Sequence, residues 1–242
     1  MYNAPMSAEY SRVREGLREF EGFLVGKKIG FDIDGVDILS PQSALDELYR
    51  RYGVRKTLND LVRAFEMNNW LKEFEGEKAP RVAWEIWHSR EVLENSKSVS
   101  GAVSLSRHLH EIGIDPPRIT SRPAFTRQWT LDFYKKWMPW VPLENIFMQA
   151  DGGNEISHNH KVDSIKLMGI EIFFEDNPDH AKEIVEKTQA LVVMVPWRWN
   201  IDLTPFHPNI VRPWAPNHVG YNMRRGNVYT AYNALARHFK FI

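Results

Sequence analysis

Four short stretches of this 242-residue chain concentrate its reactive side chains. The run IGFDIDGV places Asp32 and Asp34 one residue apart, just ahead of Gly35. RITSRP carries Thr120, Ser121 and Arg122, and Lys161 lies within SHNHKVDSIKLMGI. FFEDNPDHA carries Glu175 and Asp176 ahead of Asn177-Pro178. Two carboxylates separated by one residue on a strand point to the same face. Acids in an apolar strand are costly to bury without a partner such as a metal. Asp32, with Asp176 from a neighbouring strand, could hold Mg²⁺ through hard oxygens. Such an ion offsets the repulsion between an anionic nucleophile and a phosphate. Asp32 could then attack phosphorus to form an aspartyl-phosphate. Asp34 could protonate the leaving oxygen and later deprotonate the attacking water. Thr120 could hydrogen-bond the transferring phosphoryl oxygens, and Lys161 could neutralise the remaining charge.

For these residues to meet, they must stand at one rim of one sheet. Ile29, Phe31 and Ile33 alternate with small or acidic residues and then meet Gly35, the pattern of a short buried strand. PPRIT, NIFMQA (145–150), EIFFE (171–175) and 190–195 are the further strands expected, the last being the final strand. Helices are expected between them, over 123–137, 161–168 and 178–187, with an amphipathic helix over 8–24 and another near 229–239. Alternating strands and helices predict a Rossmann-like α/β fold, a parallel sheet with helices on both faces. In such sheets ligands sit beyond the carboxyl ends of the strands, where all four stretches fall. Residues 41–96 are helical in pattern and too long for a crossover, so they read as an inserted cap. Ser40-Pro41 reads as its start, a hydroxyl N-cap before a proline. Within it, TLNDLVRAFEMNNWLKEF and APRVAWEIWHSREVLEN each carry apolar residues three or four apart.

Composition narrows the chemistry. Lys plus Arg total 31 and Asp plus Glu total 31, for a formal net charge of zero. No general positive field exists to release counterions from a nucleic-acid polymer. There is no cysteine, which excludes disulfides and thiol nucleophiles. The longest apolar run, ALVVMVPW, is far short of the roughly 18 residues of a spanning helix, and no signal pattern opens the chain. A soluble, cytoplasmic protein is expected.

Together the four stretches resemble the four motifs of the haloacid dehalogenase superfamily, in the right order on the right elements. The resemblance spans about residues 27–196. It implies that Asp32 is the nucleophile, Asp34 the acid/base, Thr120 the hydroxyl of the second motif and Lys161 the lysine of the third. The implied metal set is Asp32, Asp34, Asp176 and Glu175, with Asp176 a direct ligand, Glu175 behind it, and Mg²⁺ as the cofactor. The second aspartate, Asp34, fits phosphatases rather than true dehalogenases. ITSRP, FFEDNPDHA and a later VPWRWN look most like the cytosolic-type 5'(3')-deoxyribonucleotidases and their bacterial and phage relatives, whose helical cap also lies between the first two motifs. The implied organisation is a core of 1–36 and 100–242 and a cap of 37–99. The N-terminal helix and the Trp/Pro-rich tail, 197–242, depart from that pattern.

The expected substrate is a small phosphomonoester, first a nucleoside monophosphate, with no polymeric nucleic acid and no membrane. A homodimer is within this expectation. A phosphatase of another metabolite, such as a sugar phosphate, and a non-catalytic binding protein on the same fold are the alternatives. Ser121, Arg122, Trp84 and Trp87 are the candidate substrate contacts. Each also has a plainer reading. Ser121 and Arg122 could merely start a helix. Trp84 and Trp87, with Phe65 and Trp70, could be helix-packing aromatics. His158 and His160 have metal-ligand spacing but no third ligand in view, so a solvated loop is the better reading. Arg212 and Arg224-Arg225 read as solvated surface.

Overall fold

A computed structural model describes residues 8–63, 65–149, 159–200, 207–213 and 227–242. The chain runs α1 (Ala8–Val25), β1 (Ile29–Phe31), α2 (Ser40–Tyr52), α3 (Glu66–Glu75), α4 (Ala79–Trp87) and α5 (Arg90–Asn95). It continues through α6 (Ala102–Glu111), β2 (Arg118–Pro123), α7 (Arg127–Trp137), β3 (Ile146–Gln149) and α8 (Asn159–Met168). It closes with β4 (Ile172–Glu175), α9 (Pro178–Lys187), β5 (Leu191–Met194), β6 (Ile210–Val211) and α10 (Val228–His238).

The strands form one six-stranded sheet in the order β3-β2-β1-β4-β5-β6. Every neighbouring pair is parallel. The order reverses at β1, and the crevice at such a switch point is where open α/β sheets bind ligands. Side-chain alternation explains why the sheet is covered on both faces. Ile172, Phe174, Val193 and Val211 join one core with Phe20, Leu105 and Leu235. Phe173, Val192, Met194 and Ile210 join the opposite one with Val162, Ile165 and Ile184. Strands apolar on both faces are what a parallel sheet between two helix layers requires.

The helices between β1 and β2 bury their own cluster, including Ala44, Leu48, Leu71, Ile86 and Val92. The two connections to the sheet run side by side. Leu39 N–H donates to Lys97 O (2.7 Å), and Val99 N–H donates to Asp37 O (3.0 Å).

Four local expectations change. The stretch 57–63 is not helical, because Asp60 accepts the backbone N–H and the hydroxyl of Thr57 at 2.7 and 2.8 Å, and α3 starts only at Glu66. APRVAWEIWHSREVLEN is two helices, since Ser89 is extended and caps α5 by accepting the Val92 N–H. Ser40 is the first residue of α2 rather than its cap, and its hydroxyl donates instead to Asp34. A sixth strand also follows the one expected to be last. β6 is only two residues long, too short to show a period of its own. Among the described residues no helix is long and apolar enough to cross a membrane.

Candidate active site

β1 delivers Asp32 to the switch point. Its N–H continues the ladder by donating to Phe174 O at 2.9 Å, and its side chain is buried. Lys161, near the start of α8, reaches across to it. The ammonium lies 2.8 Å from Asp32 Oδ2 and 2.8 Å from Glu175 Oε2. Glu175, at the end of β4, is fully buried and accepts through Oε1 from the N–H groups of Asp176 (3.0 Å) and Asn177 (2.9 Å). Asn177 in turn caps α9 by accepting the Asp179 N–H.

One atom in this cluster lacks a partner: Asp32 Oδ1 is buried and accepts no hydrogen bond. Asp32, Glu175 and Asp176 each bring a carboxylate oxygen within 4.8 Å of the others. Three buried carboxylates thus face one ammonium. Burial pushes the Asp32 carboxyl well up, and the charge of Glu175 adds to it despite Lys161. Burial also raises Asp176, helped by Glu175 and Asp32. Glu175 goes the other way: burial opposes its ionisation, but Lys161 and then His180 hold it down to about 2. Burial disfavours the charged Lys161, and the charges of Asp32 and Glu175 more than reverse that. An orphaned oxygen and surplus negative charge, all from hard donors, suit a divalent cation.

Asp34 stands outside this triad. Its carboxylate accepts from Ser40 Oγ and from Arg122 Nε (2.8 Å) and Nη2 (2.7 Å). Burial works to raise its pKa, and Arg122, Ser40 and His88 together bring it below the usual carboxylate range. The remaining Arg122 donor, Nη1, goes to Thr130 Oγ1 at 2.9 Å. Thr120 is buried and accepts the Arg122 N–H at 3.2 Å.

Asp32, Asp34, Thr120, Arg122, Lys161 and Asp176 line a cavity of about 310 Å³, which also takes in Ser121, Trp84, Trp87 and Phe65, while Glu175 is not part of its lining. Trp84 and Trp87 are half-buried in the helix pack and present to the cavity as well. Trp84 faces Phe125 of the sheet side, ring centroids 5.8 Å apart. Trp70 instead packs with the helix cluster, under Lys56. The candidates therefore converge, with Asp34 and Arg122 as a pair of their own beside the triad. His158 and Arg224-Arg225 lie outside the described residues. The described metal-capable group does not include His160.

The tail supplies site residues to which the sequence reading gave no role. Trp197 Nε1 donates to Gly35 O (2.7 Å), and Trp199 Nε1 donates to Asp176 Oδ2 (3.2 Å). The two indoles stack at 4.8 Å and 7°. Buried Asn200 donates to both Asp176 O (2.7 Å) and Val195 O (2.8 Å), tying the ends of β4 and β5 together. The only sequence signal was the compact WRWN itself. Gly35 is equally constrained: its φ is +70°, and a Cβ there would overlap the Asp176 carboxylate.

No family model matches the chain. A haloacid dehalogenase family hydrolase from Deinococcus radiodurans R1, solved with bound phosphate and sodium, is similar at 16% identity over 75% of this chain and 82% of that one, with a TM-score of 0.47. A haloacid dehalogenase hydrolase of family IA from Entamoeba histolytica is similar at 17% identity over 70% and 83%, also at 0.47. The sheet order brings the four stretches to one rim of a Rossmann-like α/β fold, the arrangement that their resemblance to haloacid dehalogenase phosphatases implies. Among curated proteins, the one named "Putative nucleotidase BH1399", from Halalkalibacterium halodurans, is 24% identical over 193 residues, 77% of this chain and 87% of that protein.

Proposed function

We propose that this chain is a Mg²⁺-dependent phosphomonoester hydrolase that works through an aspartyl-phosphate and takes nucleoside monophosphates. One observation carries the reading. Asp32, with its partnerless oxygen, lines together with Asp176 and Lys161 a cavity that Phe65, Trp84 and Trp87 also line. A carboxylate cluster and aromatic side chains lining one cavity suit a phosphate joined to a planar base. The similarity to a protein named as a nucleotidase supports the same choice.

Asp32 and Asp176 would hold the ion, with Glu175 fixing Lys161 and the Asp176 backbone behind them. Once bound, Mg²⁺ supplies the positive charge that lets a carboxylate approach a phosphate dianion. A carboxylate oxygen of Asp32 attacks phosphorus, and the bond from phosphorus to the ester oxygen breaks. Asp34 gives the departing oxygen a proton. Water then attacks the aspartyl-phosphate and loses a proton to Asp34, which restores Asp32 and releases phosphate. Lys161 and the hydroxyls of Thr120 and Ser121 meet the phosphoryl oxygens. Arg122 holds Asp34, and residues 37–99 act as the cap that closes over the leaving group and keeps bulk water out.

The test is phosphate release from a panel of phosphomonoesters with Mg²⁺ present. Nucleoside monophosphates are expected to turn over faster than sugar phosphates, and Asp32→Asn is expected to lose activity while remaining folded. Wild-type turnover by Asp32→Asn would refute the nucleophile, and equal rates on sugar phosphates would refute the substrate class.

A further inference from the structure

His88 lines the same cavity but takes no part in the acid cluster. It follows the last residue of α4, with its ring 4.6 Å from that of Trp84. Its Nδ1 lies 2.8 Å from Trp84 O. A carbonyl oxygen can only accept, so Nδ1 must carry the hydrogen. Nε2 has no hydrogen-bond partner among the described residues. Burial keeps the ring neutral against the opposite pulls of the Trp84 carbonyl and Asp34, and Arg122 adds to the effect of burial. A neutral imidazole with its hydrogen on Nδ1 leaves Nε2 as a lone-pair acceptor. Trp84 and Trp87 of α4 line the cavity beside it, and the other cavity histidine, His180, sits against Lys161.

We propose that His88 is a specificity-determining residue, whose Nε2 accepts a hydrogen bond from a hydroxyl or ring N–H on the leaving group. This rests on the phosphomonoesterase reading above and adds to it a required donor on the substrate. The donor has two chemical sources in a nucleotide, a sugar hydroxyl or a base imide. A site that hydrogen-bonds a substrate group rejects the analogue lacking it, because a desolvated polar atom is then left unpaired.

The experiment measures kcat/KM on uridine 5'-monophosphate and on its N3-methyl, 2'-deoxy, 3'-deoxy and 2'-O-methyl analogues. The proteins compared are the wild type, His88→Asn and His88→Gln. An asparagine amide can still donate to Trp84 O but offers nothing at the Nε2 position, whereas glutamine can place an acceptor there. The wild type is expected to prefer the parent over one analogue class by about tenfold or more. The N3-methyl arm reports a base donor, and the three ribose arms report a sugar donor. In His88→Asn that preference is expected to fall to about twofold or less, and His88→Gln to recover part of it. A wild type that discriminates in no arm, or a His88→Asn that keeps the wild-type ratio, overturns the proposal while leaving the phosphatase reading intact. A folded wild type that releases phosphate from no ester with Mg²⁺ present refutes the phosphatase reading itself, and this inference with it.

Discussion

Arg122 grips Asp34 through both carboxylate oxygens, at 2.8 and 2.7 Å. The forked guanidinium matches a carboxylate in a way lysine cannot. Against the effect of burial, the pair favours the ionised form of Asp34, the form that takes a proton from water in the second step. Arg122→Gln is therefore expected to raise the Asp34 pKa and move the acidic limb of the kcat–pH profile to higher pH. Arg122→Lys should move it less. Asp34→Asn should lower kcat by about 10²–10⁴, the usual worth of a positioned acid/base. An acidic limb at the same pH in wild type and both Arg122 variants would remove Asp34 from that role.

The triad makes a separate prediction about metal. Without a cation, burial and then the charge of Glu175 disfavour the ionised forms of Asp32 and Asp176 and raise their pKa values. Mg²⁺ at about a hundred times its Kd should stabilise the fold by about 2.7 kcal/mol, or roughly 5–10 °C in Tm at this size. Asp176→Asn is expected to melt above the wild type without Mg²⁺ and to gain little when it is added. Thermal melts over a Mg²⁺ titration read both effects, and an undiminished gain in Asp176→Asn would place the ion elsewhere.

The parts of the site that the sequence made legible are those where chain order and spatial order coincide. Asp32 and Asp176 each follow a strand and Thr120 lies within β2, and parallel strands place their carboxyl ends on one rim. Lys161 was found by its place in the motif order. What stayed hidden depends on pairs far apart in the chain. Nothing local says that Arg122 turns to Asp34, 88 residues away, rather than to a ligand. Nothing local says that Trp197 reaches back 162 residues to Gly35. Ser40 shows a local rule giving way, since a hydroxyl before Pro41 is a sound cap signal but here a nearby carboxylate takes the proton. β6 and the break at 57–63 fall below the length at which periodicity can distinguish strand, helix and turn.

Glu47 on α2 gives a pH-dependent stability. Hydrogen bonds from Arg50 (2.7 Å) and Arg51 lower its pKa despite burial. A carboxyl whose folded pKa is depressed adds stability that is full above its unfolded value, near 4.3, and is lost as pH falls through the folded value. Glu47→Gln should therefore melt below the wild type at neutral pH, and the gap should close as pH falls below about 4. A gap that stays constant down to pH 3 would assign the loss to packing rather than to charge.

Gly35 and Gly53 form a matched pair for the last prediction. Both have left-handed backbones, with φ of +70° and +67°. A Cβ at Gly53 meets nothing within 4 Å, whereas at Gly35 it would overlap the Asp176 carboxylate. Gly53→Ala should therefore cost only the left-handed backbone penalty, about 1–2 kcal/mol, and keep both phosphatase activity and the Mg²⁺-dependent rise in Tm. Gly35→Ala bears the same penalty and must also displace Asp176, along with the Trp199 contact to it. It should lose the Mg²⁺ response and activity together. If the two variants lost stability and activity to the same extent, strain alone would account for Gly35, and the close approach to Asp176 would have no part in the site.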